Sequence, residues 1–216
     1  MTRRFRIKKT LVVATIFAAL LALAAGFFFR GKGTVNTAAL EIPGCPILGK
    51  KDAPIQMVLF EDLRCIGCRE FNLEILPFIQ TKYIEPGLAR FTIVPLAFLP
   101  GSKPLGNAVL AVNKIAPSRV ASYVHALSQE TIEGNTDVVL QQKLMNLAKA
   151  IGGIDLLELK SCIVTDCHYS RLDENFELAK KIMGSNFSTP TLYINGTPIT
   201  TNSLQSIEAK MELLLR

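Results

Sequence analysis

The chain has little excess of proline or glycine, 11 and 14 in 216 residues, and no repeats or low-complexity stretches. With nearly half of it hydrophobic, that composition excludes a disordered, collagen-like or coiled-coil protein. Tryptophan is absent and there are two histidines and five methionines, so no Met/His-rich ligand set for copper is present. Five cysteines are far fewer than a disulfide-dense mini-domain carries. No Ser-His-Asp set, phosphate-binding Walker loop or dinucleotide fingerprint stands out. The formal charge of +6 suggests nucleic acid only until it is divided along the chain. Residues 1–32 hold seven basic side chains and no acid, leaving 17 of the 24 Lys and Arg against all 18 Asp and Glu. No electrostatic footprint for nucleic acid remains outside the leader.

What is present begins with that leader. Leu11 to Phe29 is a run of 19 residues without a charged side chain, preceded by five basic residues. At about 1.5 Å per residue it spans roughly 28 Å, close to a hydrocarbon core. The flanking charge keeps the N-terminus cytoplasmic and delivers the rest of the chain to the far side of the membrane. Ala22-Leu23-Ala24 has the pattern of a cleavage site, whereas Arg30 and Lys32 close the run as an anchor's outer flank would. Residues 1–32 are thus a signal anchor or signal peptide, and either fate exports the domain to where disulfides persist. Residues 33–47 read as a tether.

Ile55 to Phe60 is an apolar run suited to a strand buried on both faces. A helix follows from about Ile66, with Pro77 expected to kink or restart it. Arg90 to Leu96 reads as a second strand, so this half is a βαβ unit with parallel strands. From about 104 to 184 the pattern is helical, including a face of Leu140, Leu144, Leu147 and Ile151 entered near Asn135 and closed by Gly152-Gly153. Thr191 to Ile194, the Asn195-Gly196 turn and Thr197 to Thr200 form a hairpin, and Ser203 to Leu214 a closing helix.

The chemistry concentrates in Cys65-Ile66-Gly67-Cys68, where the first strand ends and the first helix begins. A cysteine there faces unpaired backbone N–H groups and the positive end of the helix dipole, both of which favour thiolate. The two intervening residues, Ile66 and Gly67, return the second sulfur toward the first, so a disulfide between them opens and closes readily. Cys65 is the exposed attacking sulfur, Cys68 the buried one that resolves a mixed disulfide, and Arg64 adds a positive charge beside the nucleophile. Two alternatives stand beside this reading: an inert structural disulfide, or half of a zinc site completed by Cys162, Cys167 and His168. Glu61 and Asp62, just before the motif, read as residues that solvate the strand end. Cys162 and Cys167 fall at a turn between two helices, at a separation a structural disulfide can span. A free buried Cys162 beside a surface Cys167 is the other possibility. Cys45 is the odd sulfur, open to intermolecular pairing or exchange. His125 and His168 read as surface or packing residues.

Leu48-Gly49-Lys50-Lys51-Asp52-Ala53-Pro54, Phe60 through Phe71 with its Cys65 and Cys68, and Leu76-Pro77 resemble the opening of DsbA-like thioredoxin-fold oxidoreductases. Thr189-Pro190-Thr191-Leu192-Tyr193-Ile194-Asn195-Gly196 resembles that family's closing segment. The resemblance covers about residues 48–200. It implies an α/β thioredoxin-like domain over 48–216 with the helices of 104–184 inserted between the βαβ and ββα halves. It implies further that Pro190 is a cis proline packed against the active-site cysteines and that Thr189 offers backbone hydrogen bonds to substrate. The implied activity is thiol:disulfide exchange without a cofactor or metal, on exported proteins with cysteine thiols, with a membrane redox partner restoring the enzyme. Two departures stand out: the dipeptide lacks the histidine many relatives place before the second cysteine, and Leu59 occupies the position of the buried acid of thioredoxins. Isomerases of the DsbC type carry an N-terminal dimerisation domain, for which the stretch between Phe29 and Leu48 leaves no room. The expected direction is therefore oxidation, with a reductase or isomerase, or a non-catalytic binding module of the same fold, as alternatives.

Overall fold

The computed structural model describes residues 34–130, 137–199 and 203–216. The apolar run of 11–29 lies outside them. Among the described residues no helix is long and apolar enough to cross a membrane.

A short strand β1 (Ile47–Leu48) leads to β2 (Ile55–Asp62), helix α1 (residues 66–84) and β3 (Ala89–Leu96). Helices α2 (Lys103–Ile115), α3 (Val120–Gln129), α4 (Asp137–Ile151), α5 (Leu156–Val164) and α6 (Tyr169–Met183) follow. The chain closes with β4 (Thr191–Ile194), β5 (Thr197–Ile199) and α7 (Leu204–Leu215). The sheet order is β1-β3-β2-β4-β5, with β2 parallel to β3 and the other pairings antiparallel. This is the expected thioredoxin-like sheet, interrupted by helices at the expected place.

All eight residues of β2 are buried, because helices cover both faces of the sheet. Met57 and Leu59 point with Phe91 and Ile93 into one core, closed by Phe71 and Ile79 of α1, Val109 of α2 and Ile207 and Met211 of α7. Val58 and Phe60 point with Val94 and Leu96 into the other, against Ala179 and Met183 of α6. The alternation follows from the two-residue period of a strand.

Residues 33–47 are not the tether expected. From Val35 on they belong to the domain: Leu40, Ile42 and Cys45 are buried in the second core, and β1 pairs with the edge of β3. Their hydrophobic residues follow neither helix nor strand periodicity because a 3₁₀ turn (Thr37–Leu40) and a loop place them one at a time. The Val35 N–H donates to the Gly196 carbonyl at 2.7 Å. Gly196, with φ +76°, completes the Asn195-Gly196 hairpin turn, and a Cβ there would lie 2.0 Å from the Val35 oxygen. Backbone approaches that close require glycine.

Helix α1 passes Pro77 by changing its turn. Residues Phe71–Ile75 form a π turn and Leu76–Ile79 restart the α register with Pro77 in its first turn. The Leu76 N–H bonds to the Phe71 carbonyl five residues back. In that register the Asn72 carbonyl would be served by the N–H that Pro77 lacks. Asn135 and Thr200 lie outside the described residues; α4 ends, as expected, at two glycines with φ +72° and +71°.

Candidate active site

Cys65 caps α1. Its own backbone is extended (φ −72°, ψ 124°), and its carbonyl accepts from the N–H groups of Cys68 and Arg69, both at 3.1 Å. Its side chain is partly exposed and that of Cys68 fully buried, both as free thiols. The Cys68 S–H, donating to the Cys65 sulfur, is the largest influence on Cys65 and stabilises its thiolate. Burial opposes this; the Thr189 side chain and the backbone N–H groups of Cys68 and Gly67 add to it. The Cys65 pKa falls from 9.0 to about 5. Cys68 moves the other way, its thiol held protonated by burial first, then by its bond to Cys65 and the charge of Glu61. One sulfur is therefore a nucleophile at neutral pH and its neighbour a protonated reserve. The Arg64 guanidinium reaches Gly101, and the largest influences on Cys65 come from other groups.

Chain folding brings the segment around residue 190 to this pair. The Thr189–Pro190 peptide bond is cis. The Cys65 sulfur lies 3.5 Å from the Thr189 carbonyl oxygen. A Cβ on Gly67 would stand 3.3 Å from Pro190 Cδ, so the smallest residue sits where the proline meets the cysteine loop. Ile66 is 68% exposed beside the reactive sulfur, an apolar contact for an unfolded chain.

Glu61 and Asp62 do not solvate the strand end; both are 0% exposed. β2 runs two residues further than its apolar stretch, and partners from distant segments satisfy the acids. Asp62 Oδ1 accepts the Arg64 N–H at 2.9 Å, and Oδ2 accepts those of Phe98 and Leu99, each at 3.0 Å. This carboxylate ties the cysteine loop to the loop after β3. Glu61 Oε2 accepts from Asn72 Nδ2 at 2.7 Å. Burial pushes the Glu61 carboxyl up to about 8, with Asp62 and Cys65 adding to the rise and Asn72 opposing it. Glu61 is thus the buried acid that Leu59 was expected to replace. The sequence signal was two acids directly after an apolar run; what was missing was their burial.

Cys162 and Cys167 are bonded to each other across the turn between α5 and α6, with Cα atoms 5.0 Å apart. They form with His168 a group of potential metal ligands within 4.8 Å of one another, and neither Cys65 nor Cys68 belongs to it. The zinc site that would unite the two cysteine pairs is therefore not formed. Cys45 is buried, its thiol pushed up to about 12 by desolvation, which removes it as a partner in exchange. His125 packs against α1, its Nδ1 3.4 Å from the Asn72 carbonyl.

Residues 42–212 match the thioredoxin family. Disulfide bond formation protein D of Bacillus subtilis is 31% identical over 156 residues, covering 72% of this chain and 69% of the relative. Oxidised BdbD from Bacillus subtilis superimposes with a TM-score of 0.73 at 28% identity, covering 86% of this chain and 97% of that one. DsbA of Chlamydia trachomatis superimposes with a TM-score of 0.73 at 27% identity, covering 79% and 91%.

Proposed function

The chain belongs to the thioredoxin family as a thiol:disulfide oxidoreductase related to disulfide bond formation protein D, and on that premise we propose that Cys65 and Cys68 form disulfides in exported proteins. A substrate thiolate attacks the Cys65 sulfur of the oxidised pair. The Cys65–Cys68 bond breaks, and the Cys68 sulfur leaves with the electron pair and takes up the proton of the Glu61 carboxyl. A second substrate thiolate then attacks the substrate sulfur of the mixed disulfide, and Cys65 departs as thiolate. Two electrons have passed from the substrate to the enzyme, and a membrane redox partner must remove them. Thr189 and Pro190 present the backbone against which the substrate chain lies, beside the exposed Ile66 and Gly67 of the dipeptide. Cys162–Cys167 serves as a structural disulfide.

One observation carries the direction of the reaction: the Cys65 thiolate is stabilised to a pKa of about 5 by the Cys68 thiol, the Thr189 side chain and helix N–H groups, without a histidine in the dipeptide. A stable thiolate favours the reduced enzyme and so makes its disulfide oxidising. The long apolar run at residues 11–29 supports an extracytoplasmic domain held at the cytoplasmic membrane. The test is the reduction potential of the Cys65–Cys68 couple equilibrated against glutathione. A value of about −120 to −150 mV is expected; one near about −250 mV or below would make the protein a reductase.

A further inference from the structure

Helix α3 of the helical insertion touches the cysteine helix at three hydrogen-bonded points. Arg69, the residue after Cys68, donates through Nε and Nη2 to the Ser128 carbonyl at 3.1 and 3.0 Å. Asn72 Nδ2 reaches the Ser128 hydroxyl oxygen at 3.3 Å, and that hydroxyl donates to the Val124 carbonyl at 2.9 Å. His125 Nδ1 approaches the Asn72 carbonyl, whose donor in the π register would be the N–H that Pro77 lacks. Asn72 and Ser128 are each 1% exposed. The same Asn72 amide that reaches Ser128 also holds Glu61 Oε2, while Glu61 Oε1 is buried with no partner among the described residues. Glu61 therefore has one oxygen fixed and one left to exchange a proton.

We propose that Asn72 is the positioning residue of this active site: it fixes the Glu61 carboxyl for proton exchange with Cys68, and the helical insertion holds Asn72 in place through Ser128 and His125. This deepens the oxidoreductase reading above and rests on it. When Cys68 closes back onto a mixed disulfide, its proton passes to the Glu61 carboxylate, the Cys68 sulfur bonds to Cys65, and the substrate sulfur leaves as thiolate. In the opposite direction Glu61 returns the proton to the departing Cys68. The amide of Asn72 favours the ionised carboxylate, so it sets how readily Glu61 accepts. The titratable groups acting on Glu61 are Asp62 from β2 and Cys65 and Cys68 from the start of α1. Arg69 and His125 stand behind the Asn72–Ser128 pair, where a cavity of about 300 Å³ lined by Asn72, Pro77, Ala121 and His125 opens beside the helix.

The test is the titration of the Glu61 carboxyl in the reduced protein, followed by carbon NMR in the wild type and in Asn72→Leu and Ser128→Ala. Loss of the amide donor should move the Glu61 titration upward by about one pH unit, and Ser128→Ala should move it the same way by less. Cys68 ring closure, timed as release of glutathione from the Cys65 mixed disulfide, should slow about tenfold at pH 7 in Asn72→Leu, the counterpart of that shift. In a Glu61→Gln background Asn72→Leu should add no further slowing, which separates positioning from a general loss of structure. An unchanged Glu61 titration, or equal slowing in both backgrounds, overturns the proposal. If Asn72→Leu does not fold, Asn72→Ser and Ser128→Ala give the same readout. The titration needs no turnover: a Glu61 that responds to Asn72 in a protein unable to oxidise substrates would overturn the proposed function and leave this assignment standing.

Discussion

The sulfur of Cys65 lies 3.5 Å from the carbonyl oxygen of Thr189, a residue 124 positions away in the chain and joined to Pro190 by a cis peptide bond. The contact puts the Cys65 sulfur against the backbone of the cis-proline segment. In the proposed function this is the backbone along which a substrate chain presents its sulfur to Cys65. The same proximity brings the Thr189 side chain close enough to help stabilise the thiolate.

The pH dependence of alkylation follows from that arrangement. In the reduced protein Cys65 should be alkylated with an inflection near pH 5, not near the ordinary 9.0. Cys68 should stay unmodified over the same range, because burial keeps its thiol protonated. Mass spectrometry of the modified peptides distinguishes the two. The lowered value also fixes a sign for stability. Because the folded pKa is depressed, the Cys65 contribution to the reduced fold is complete above pH 9 and is lost as pH falls through about 5. An alkylation inflection between pH 8 and 9 would remove the physical basis for an oxidising disulfide.

Glu61 carries the opposite sign. Its folded pKa of about 8 lies above the ordinary 4.5, so the stability it contributes is complete below pH 4.5 and is lost as pH rises through about 8. Glu61→Gln should therefore gain on the wild type as pH rises from 5 to 8, seen as a widening gap between their urea midpoints. Exchange with small thiols should slow in the same variant, since Cys68 loses its proton partner. A pH-independent gap would mean that Glu61 does not titrate in this range.

Asp62 is the more structural of the two acids. It accepts from three backbone N–H groups, those of Arg64, Phe98 and Leu99. Asp62→Asn keeps the shape but replaces an accepting oxygen with a donor facing a donor. A cost of about 2–3 kcal/mol is expected from chemical denaturation, the scale of a hydrogen bond to a charged group in a buried setting. The loop beside Cys65 should loosen with it, and substrate oxidation should slow even where the protein remains folded.

Cys45 supplies a simple check on the redox inventory. It is 4% exposed, and its sulfur lies 3.6 Å from Asn175 Nδ2. A chromogenic disulfide reagent should consume Cys65 rapidly in the native reduced protein and reach Cys45 only after denaturation. Rapid native reaction of Cys45 would restore it as a candidate for exchange between molecules.

The element order, the hairpin turn and the spacing of Cys65 and Cys68 are legible in the sequence alone. Ile55–Phe60 is apolar at every second and every intervening position but one, which marks a strand covered on both faces. Asn195-Gly196 admits the left-handed backbone a two-residue hairpin needs, and two cysteines separated by two residues at a strand-to-helix junction carry their chemistry in their spacing. The burial and hydrogen bonding of Glu61, Asp62 and Asn72 come from tertiary contacts. Whether an acid is solvated or buried depends on what arrives from elsewhere: the loop after β3 at Asp62, and α1 and the insertion's Ser128 around Glu61. Residues 33–47 read as a tether for a related reason: side chains placed singly in the core, such as Leu40, Ile42 and Cys45, leave no period to read. Local sequence sets backbone geometry and intrinsic reactivity. Desolvation and hydrogen bonding set the protonation states, and both come from residues that only the fold brings into contact.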